Sequence, residues 1–242
     1  MNINELLAIY CVCFGNKYPR RTYQYQKNIM ANACYLDSKV KAKLTDEGYV
    51  LDDTGKNISY LNYAFGDLTA SYWIWKNAQE EFVGTCQYRR FWVDKEIVNL
   101  SLKDNTIYFP PGKPQYHFAP LSTIEQYIGS HGRYGIDIIA DLCSNPNYIL
   151  KQETFNQLNH IDYIHGCNMF FAQNKMYSRV CDVLFEILFD VFRVSVEEIG
   201  SLDSYQRRLV AFLSERVLTA LVLDAKHYFG DVEVVPVNCV YL

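Results

Sequence analysis

The chain has 242 residues, half of them apolar and 15% aromatic, so it can bury a sizeable core and global disorder is excluded. Its net charge of -4 argues against a general nucleic-acid binder, which needs a basic excess. No apolar run approaches the ~20 residues of a membrane span, so any membrane contact is expected to be peripheral. Eight cysteines without a Cys-x-x-Cys pair, behind a first segment that lacks a basic leader and a cleavage site, lead us to expect reduced thiols in a cytoplasmic chain.

Leu6 to Phe14 is a continuous apolar run closed by Gly15-Asn16-Lys17, the pattern of a buried first strand. Residues 15–66 are mixed and loop-rich, with a turn signal at Asp52-Asp53-Thr54-Gly55. Leu68 to Gln79 predicts a helix with Asp67 at its N-cap. Phe82 to Cys86 and Thr106 to Phe109 predict strands, and residues 110–122 a mobile loop. Short helices are expected at Thr123 to His131 and Ile136 to Cys143, and a strand within Tyr163 to Ala172. Lys175 to Val194 and Ser204 to Leu223 predict two amphipathic helices, and Val232 to Val240 a terminal strand or extended tail. No linker divides the chain, so residues 1–242 are expected to form a single α/β domain.

Three local features carry chemistry. Tyr88-Arg89-Arg90 stands at the end of a predicted strand, where open α/β sheets bind ligands. Two guanidiniums there suit an anion, because each offers a fixed fork of donors. In the last long helix Leu209, Phe212, Leu213, Ala220 and Leu223 share a face, and Arg216 falls in its middle with Glu215 and Arg208 at its border. Such a charge is either a structural buried pair or part of a cleft, and an internal pair can also orient a catalytic carboxylate. Of Tyr72, Trp73 and Trp75, two are expected in the core. The acidic pairs Asp52-Asp53 and Asp94/Glu96 read as solvated loop carboxylates rather than metal ligands.

Four segments together resemble a bacterial family of capsular and exopolysaccharide biosynthesis proteins grouped with glycosyltransferases. They are Asn57-Ile58-Ser59; Asp67 to Asn77 running into Cys86-Gln87-Tyr88-Arg89-Arg90-Phe91; Cys167-Asn168-Met169-Phe170; and Ala211-Phe212-Leu213-Ser214-Glu215-Arg216. The resemblance implies a GT-A-like nucleotide-sugar-binding sandwich with a central mixed sheet. It also implies transfer of a hexose-like sugar from a nucleotide-sugar donor to a growing surface polysaccharide. Such a glycan belongs to a capsule, an exopolysaccharide or a lipopolysaccharide, and the acceptor is glycan or lipid-linked glycan at the inner membrane face. The family pattern carries His where this chain has Gln87, so a direct imidazole role at that position is not carried over.

On this resemblance, Asp67, Tyr88, Arg89 and Arg90 are expected to bind the donor, with Gly15 and Lys17 near its base by analogy of fold. Glu215 is the expected base, oriented by Arg216, and Asn168 and Arg208 face the acceptor. Many GT-A enzymes hold a divalent metal at an Asp-x-Asp after the central strand. Here Gln87-Tyr88-Arg89-Arg90 occupies that place, so Arg89 and Arg90 are expected to supply some or all of the metal's charge and a metal requirement is not expected. Asp67 could instead be only a helix cap, either Arg only a structural partner of a carboxylate, and Asn168 only an edge-strand residue. A Cys/His hydrolase lacks a third orienting group beside His165 and Cys167. A non-catalytic nucleotide- or carbohydrate-binding module on the same fold is the remaining alternative.

Overall fold

The structure, a computed structural model, describes residues 3–114 and 121–242; the middle of the loop expected at 110–122 lies outside the described residues. Eleven strands are described: β1 (Leu7–Phe14), β2 (Gln26–Ala31), β3 (Val50–Leu51), β4 (Phe82–Gln87), β5 (Arg90–Trp92), β6 (Thr106–Phe109), β7 (Lys113–Pro114), β8 (Tyr163–Ile164), β9 (Phe171–Gln173), β10 (Glu233–Pro236) and β11 (Cys239–Tyr241). Nine of them form one mixed sheet ordered β10-β6-β9-β4-β1-β2-β3, with β5 bridging β4 and β11 at its rim, while β7 and β8 pair apart. β1 runs parallel to β2 and β4, whereas β9 is antiparallel to both β4 and β6.

The unbroken apolar run of β1 follows from its position. It is buried on both faces up to Cys13, as a central parallel strand must be. Ala8, Tyr10 and Val12 point into the layer that holds the long helices. Leu7, Ile9, Cys11 and Cys13 point into the other layer, with Tyr25, Phe91 and Trp92. Between β4 and β9 the approach is so close that a Cβ on Gly84 would lie 2.2 Å from the Cβ of Phe171. Only glycine allows that pairing.

The predicted helices exist; two differ by two residues at one end, Leu68–Asn77 and Tyr134–Cys143, and two differ more. The helix expected at Lys175 to Val194 runs from Asn174 to Ser201, 28 residues with one buried stripe. The helix expected at Ser204 to Leu223 is a 3-10 turn followed by Leu209–Leu223. This last helix is not amphipathic: nearly every side is buried, because the 174–201 helix, β8 and the short helices all pack around it. β2 stands in the stretch read as loop-rich, and only its last three residues are buried, so its apolar signal is short.

Tyr72, Trp73 and Trp75 all face protein. Trp75 stacks on Phe185 at 5.4 Å and Tyr72 meets both edge-on, while Trp73 Nε1 donates to Thr54 Oγ1 at 3.0 Å. Asp52 is not a solvated loop carboxylate. It is fully buried and accepts from Asn32 N (3.0 Å), Ala33 N (2.9 Å), Ser59 Oγ (2.6 Å) and Thr69 Oγ1 (2.7 Å). Four donors offset the cost of burying its charge. Thr69 Oγ1 also accepts from Asn62 Nδ2 at 3.0 Å, and the same amide donates to the carbonyl of Gly66 at 2.7 Å, so this hub fixes the backbone just before Asp67. Asp53 pairs with Lys41, and Glu96 accepts from the backbone and side chain of Asn238.

Candidate functional site

A cleft of about 570 Å³ opens at the carboxyl ends of β1 and β4, bounded on its far side by the Leu209–Leu223 helix and the Thr123–His131 helix. This is the place where an α/β sheet offers strand ends and converging loops to a ligand. Asp67, Tyr88, Arg89, Arg90, Asn168, Arg208, Glu215 and Arg216 all line it. Gly15 and Lys17 do not. They form an exposed turn at the end of β1, where Lys17 N donates to Phe14 O at 2.9 Å, and Val12 and Phe14 face the cleft instead.

On the sheet side, Gln87 joins three elements. Its Nε2 donates to Asp67 Oδ2 and to the carbonyl of Cys167, both at 3.0 Å, and its Oε1 accepts from Arg90 Nη1 at 2.6 Å. A neutral amide can do all three at once; an imidazole, with two ring nitrogens, cannot. Arg90 lies 4.8 Å over the Tyr241 ring, and its buried Nε has no hydrogen-bond partner among the described residues. Arg89 is exposed beside the Tyr88 ring and forms no ion pair with a described carboxylate. Asp67 occupies the N-cap position of the Leu68–Asn77 helix, but its side chain caps nothing. It turns into the cleft, where burial and then the charge of Glu215 raise its carboxyl to about 6, against the pull of Arg208 and Gln87.

On the helix side, Glu215 Oε1 accepts from the backbone N–H of Cys167 at 2.7 Å and Oε2 from Arg216 Nη1 at 3.0 Å. Arg216 is 2% exposed. It is fixed by the carbonyl of Phe212, by Gln126 Oε1 and by the Tyr127 ring 5.2 Å away. The buried arginine is therefore both a structural pair and the holder of a cleft carboxylate. Asn168 sits in a 3-10 turn rather than a strand. Cys167 and Asn168 both have left-handed backbone (φ 73 and 53), a conformation that costs energy without glycine. Glu215, Gln87, Thr85 and Ser214 all bond to these two residues, and Asn168 Oδ1 is taken by Ser214 Oγ at 2.8 Å. Arg208 is exposed, 5.3 Å from the Phe212 ring. A Cβ on Gly66, whose φ is +54, would meet Arg208 Nη2 at 3.3 Å.

The two carboxylates are thus linked through the backbone of one residue: Asp67 to Gln87, Gln87 to the Cys167 carbonyl, and the Cys167 N–H to Glu215. His131, Gln126 and Tyr205 also line the cleft and were not anticipated from sequence. His131 stacks on Phe212 at 3.9 Å and on Tyr205 at 5.7 Å, and Gln126 anchors Arg216. Burial, then Arg216 and Arg208, lower the His131 pKa to about 4, so the ring is neutral at physiological pH. A lone His at the end of an amphipathic helix carries no sequence signal for such a place. No group of three or more His, Cys, Asp or Glu is arranged to hold a metal among the described residues. The strand-end set of two guanidiniums and an amide is also the wrong donor chemistry for a hard cation, which takes carboxylate and carbonyl oxygens.

The sequence profile of a family described as a domain of unknown function, DUF4422, matches residues 21–226. No curated protein matches the chain. Among solved structures it is similar to the apo structure of the bifunctional glycosyltransferase WbbM, with a TM-score of 0.71 and 18% identity. That likeness covers 98% of this chain and 45% of the other, so this chain spans less than half the length of the protein it resembles. The two share a GT-A-like fold. No helix among the described residues is long and apolar enough to cross a membrane.

Proposed function

The chain belongs to the DUF4422 family, and from that premise we propose that it is a glycosyltransferase that moves a sugar from a nucleotide-sugar donor to a growing surface polysaccharide. The observation that carries this reading is the pairing, in one cleft, of guanidiniums on the sheet side with an oriented carboxylate on the helix side. A nucleoside diphosphate leaving group develops negative charge that must be neutralised. Arg89 is exposed and forms no ion pair with a described carboxylate, and Arg90 lines the same cleft beside it. Arg89 and Arg90 take the charge role that a divalent metal fills in other enzymes of this fold.

Glu215 is the base. In an inverting transfer it removes the proton from the acceptor hydroxyl, whose oxygen then bonds to the anomeric carbon as the bond to the diphosphate breaks. Arg216 and the Cys167 N–H hold its carboxylate in place while its remaining lone pairs face the cleft. Asp67, tied through Gln87 to Arg90, belongs to the donor side. Asn168 and Arg208 belong to the acceptor side, where a capsular, exopolysaccharide or lipopolysaccharide glycan, free or lipid-linked, would enter. The likeness to WbbM supports glycosyl transfer as a class.

The test is thermal-shift binding of nucleoside diphosphates and nucleotide sugars, followed by turnover with the donor that binds. A ligand of the folded state raises the melting temperature by mass action. A shift with one diphosphate and release of that diphosphate from its sugar nucleotide are expected. Absence of any shift across the panel would overturn the reading.

A further inference from the structure

The cleft is bordered on one side by a surface with a different character. Phe14 and Tyr18 are each 46% exposed and Tyr241 is 56% exposed, and what sets them apart from the other exposed rings is the cations beside them. Around them stand Lys17, Arg20, Arg21 and Arg89, all exposed, and none forms an ion pair with a described carboxylate. The placement is fixed by the backbone. Arg20 N donates to Tyr88 O at 3.0 Å, Leu242 N donates to Arg89 O at 3.0 Å, and the Phe14 and Tyr88 rings meet edge-on at 5.5 Å. Tyr18 rests on Tyr49, and the carboxylate whose charge reaches Tyr49, Glu47, pairs with Lys43. Four cations therefore gather at one rim of a chain whose net charge is -4.

We propose that this rim docks on an anionic lipid surface and holds the mouth of the cleft against it. Two features favour a bilayer over a soluble polyanion. A polyanion without rings of its own, such as polyphosphate, would engage the cations and leave the exposed Phe and Tyr rings unused. Rings and cations together are what an interface of acyl chains and anionic headgroups takes up: the rings enter the headgroup boundary and the guanidiniums meet the phosphates. The rim is continuous with the donor side through Tyr88, so docking would place the sugar-transfer site beside whatever the membrane presents. The docking itself is independent of the proposed glycosyl transfer.

The experiment is co-sedimentation of the protein with vesicles of phosphatidylcholine, with and without phosphatidylglycerol, needing neither donor nor turnover. Binding to the anionic vesicles, weakened by added salt, is expected, with little binding to the neutral ones. Arg20→Ser with Arg21→Ser should lower the partition coefficient about thirty-fold, the effect of two basic residues near an anionic surface. Both side chains lie outside the cleft lining, and their backbone hydrogen bonds survive the change. Tyr18→Ser should cost a few-fold that persists at high salt. Equal binding to both vesicle types, no binding to either, or a double variant that binds as the parent does would overturn the proposal. So would capture by soluble polyphosphate without vesicle binding, which would mark the rim as a polyanion site. Unchanged melting curves of the variants guard against misfolding. A parent protein that turns over its donor but does not bind anionic vesicles would remove the docking and leave the glycosyltransferase reading standing.

Discussion

The two walls of the cleft are built in opposite ways. The sheet wall presents Tyr88, Arg89 and Arg90 from the turn after β4 and the start of β5, with Arg89 in solvent and Arg90 half-buried. The helix wall presents Glu215 from a helix buried on nearly every side, and the arginine that holds it is 2% exposed. A charge at a strand end can be changed with little effect on folding, whereas a charge inside a helix core is bound up with stability. The sheet wall is thus free to be tuned to a ligand, and the helix wall keeps one geometry.

Substitutions at the two walls should separate accordingly. Glu215→Gln is expected to lower turnover ~10²–10⁴-fold, the usual contribution of a positioned base, while donor binding is kept. Calorimetric titration of the donor beside a rate assay would check this, and a variant that turns over normally would remove Glu215 from the chemistry. Arg216→Met should cost ~3–5 kcal/mol of stability, as breaking one partner of a buried pair does, and denaturant unfolding would read it. Should the loss be small, the two walls are less different than their burial suggests.

Asp67 gives a pH-dependent version of the comparison. Its folded pKa of about 6 lies above its ordinary value of 3.8, so the folded chain binds that proton more tightly than the unfolded chain. The resulting stability is fully present below pH ~4 and is lost as pH rises through 6. Asp67→Asn should therefore stabilise the protein at pH 8 by up to about 3 kcal/mol relative to the parent, and by progressively less as the pH falls to 4. Melting curves across that range would show it, and a pH-independent gap would contradict the assigned shift. Arg89→Ala should weaken nucleoside diphosphate binding by ~1.5–3 kcal/mol, the worth of a charged hydrogen bond, and leave the melting temperature unchanged. The smallest effect is expected from excess chelator. Turnover should persist in it, and strict dependence on added manganese would contradict the role given to Arg89 and Arg90.

Much of the frame was legible in the residues. The apolar run of β1, the Thr106–Phe109 strand and the Thr123–His131 helix stand where periodicity and caps put them. β2 was not legible, since three of its six residues carry no apolar signal. The role of Asp52 was hidden for a different reason. Asp-Asp-Thr-Gly is a turn signal whichever way its carboxylates point, and the four donors that hold Asp52 come from positions up to 20 residues away. Gly15 and Lys17 were placed near the donor by analogy. The turn after β1 carries them past the cleft rim.

By itself the sequence determined the α/β class, the strand-end arginines and the presence of a charge among the apolar residues of the last helix. Each is a local pattern, set by side-chain periodicity along one element. The tertiary structure alone decided that Glu215 and Asp67 share a cleft and that Gln87 bonds Asp67, Arg90 and the Cys167 carbonyl together. It also decided that His131 is buried against Phe212 beside two arginines. Apart from the Gln87–Arg90 pair, these residues are separated by about twenty to well over a hundred positions in the chain. Contacts of that range arise when elements pack, and no period within one element encodes them.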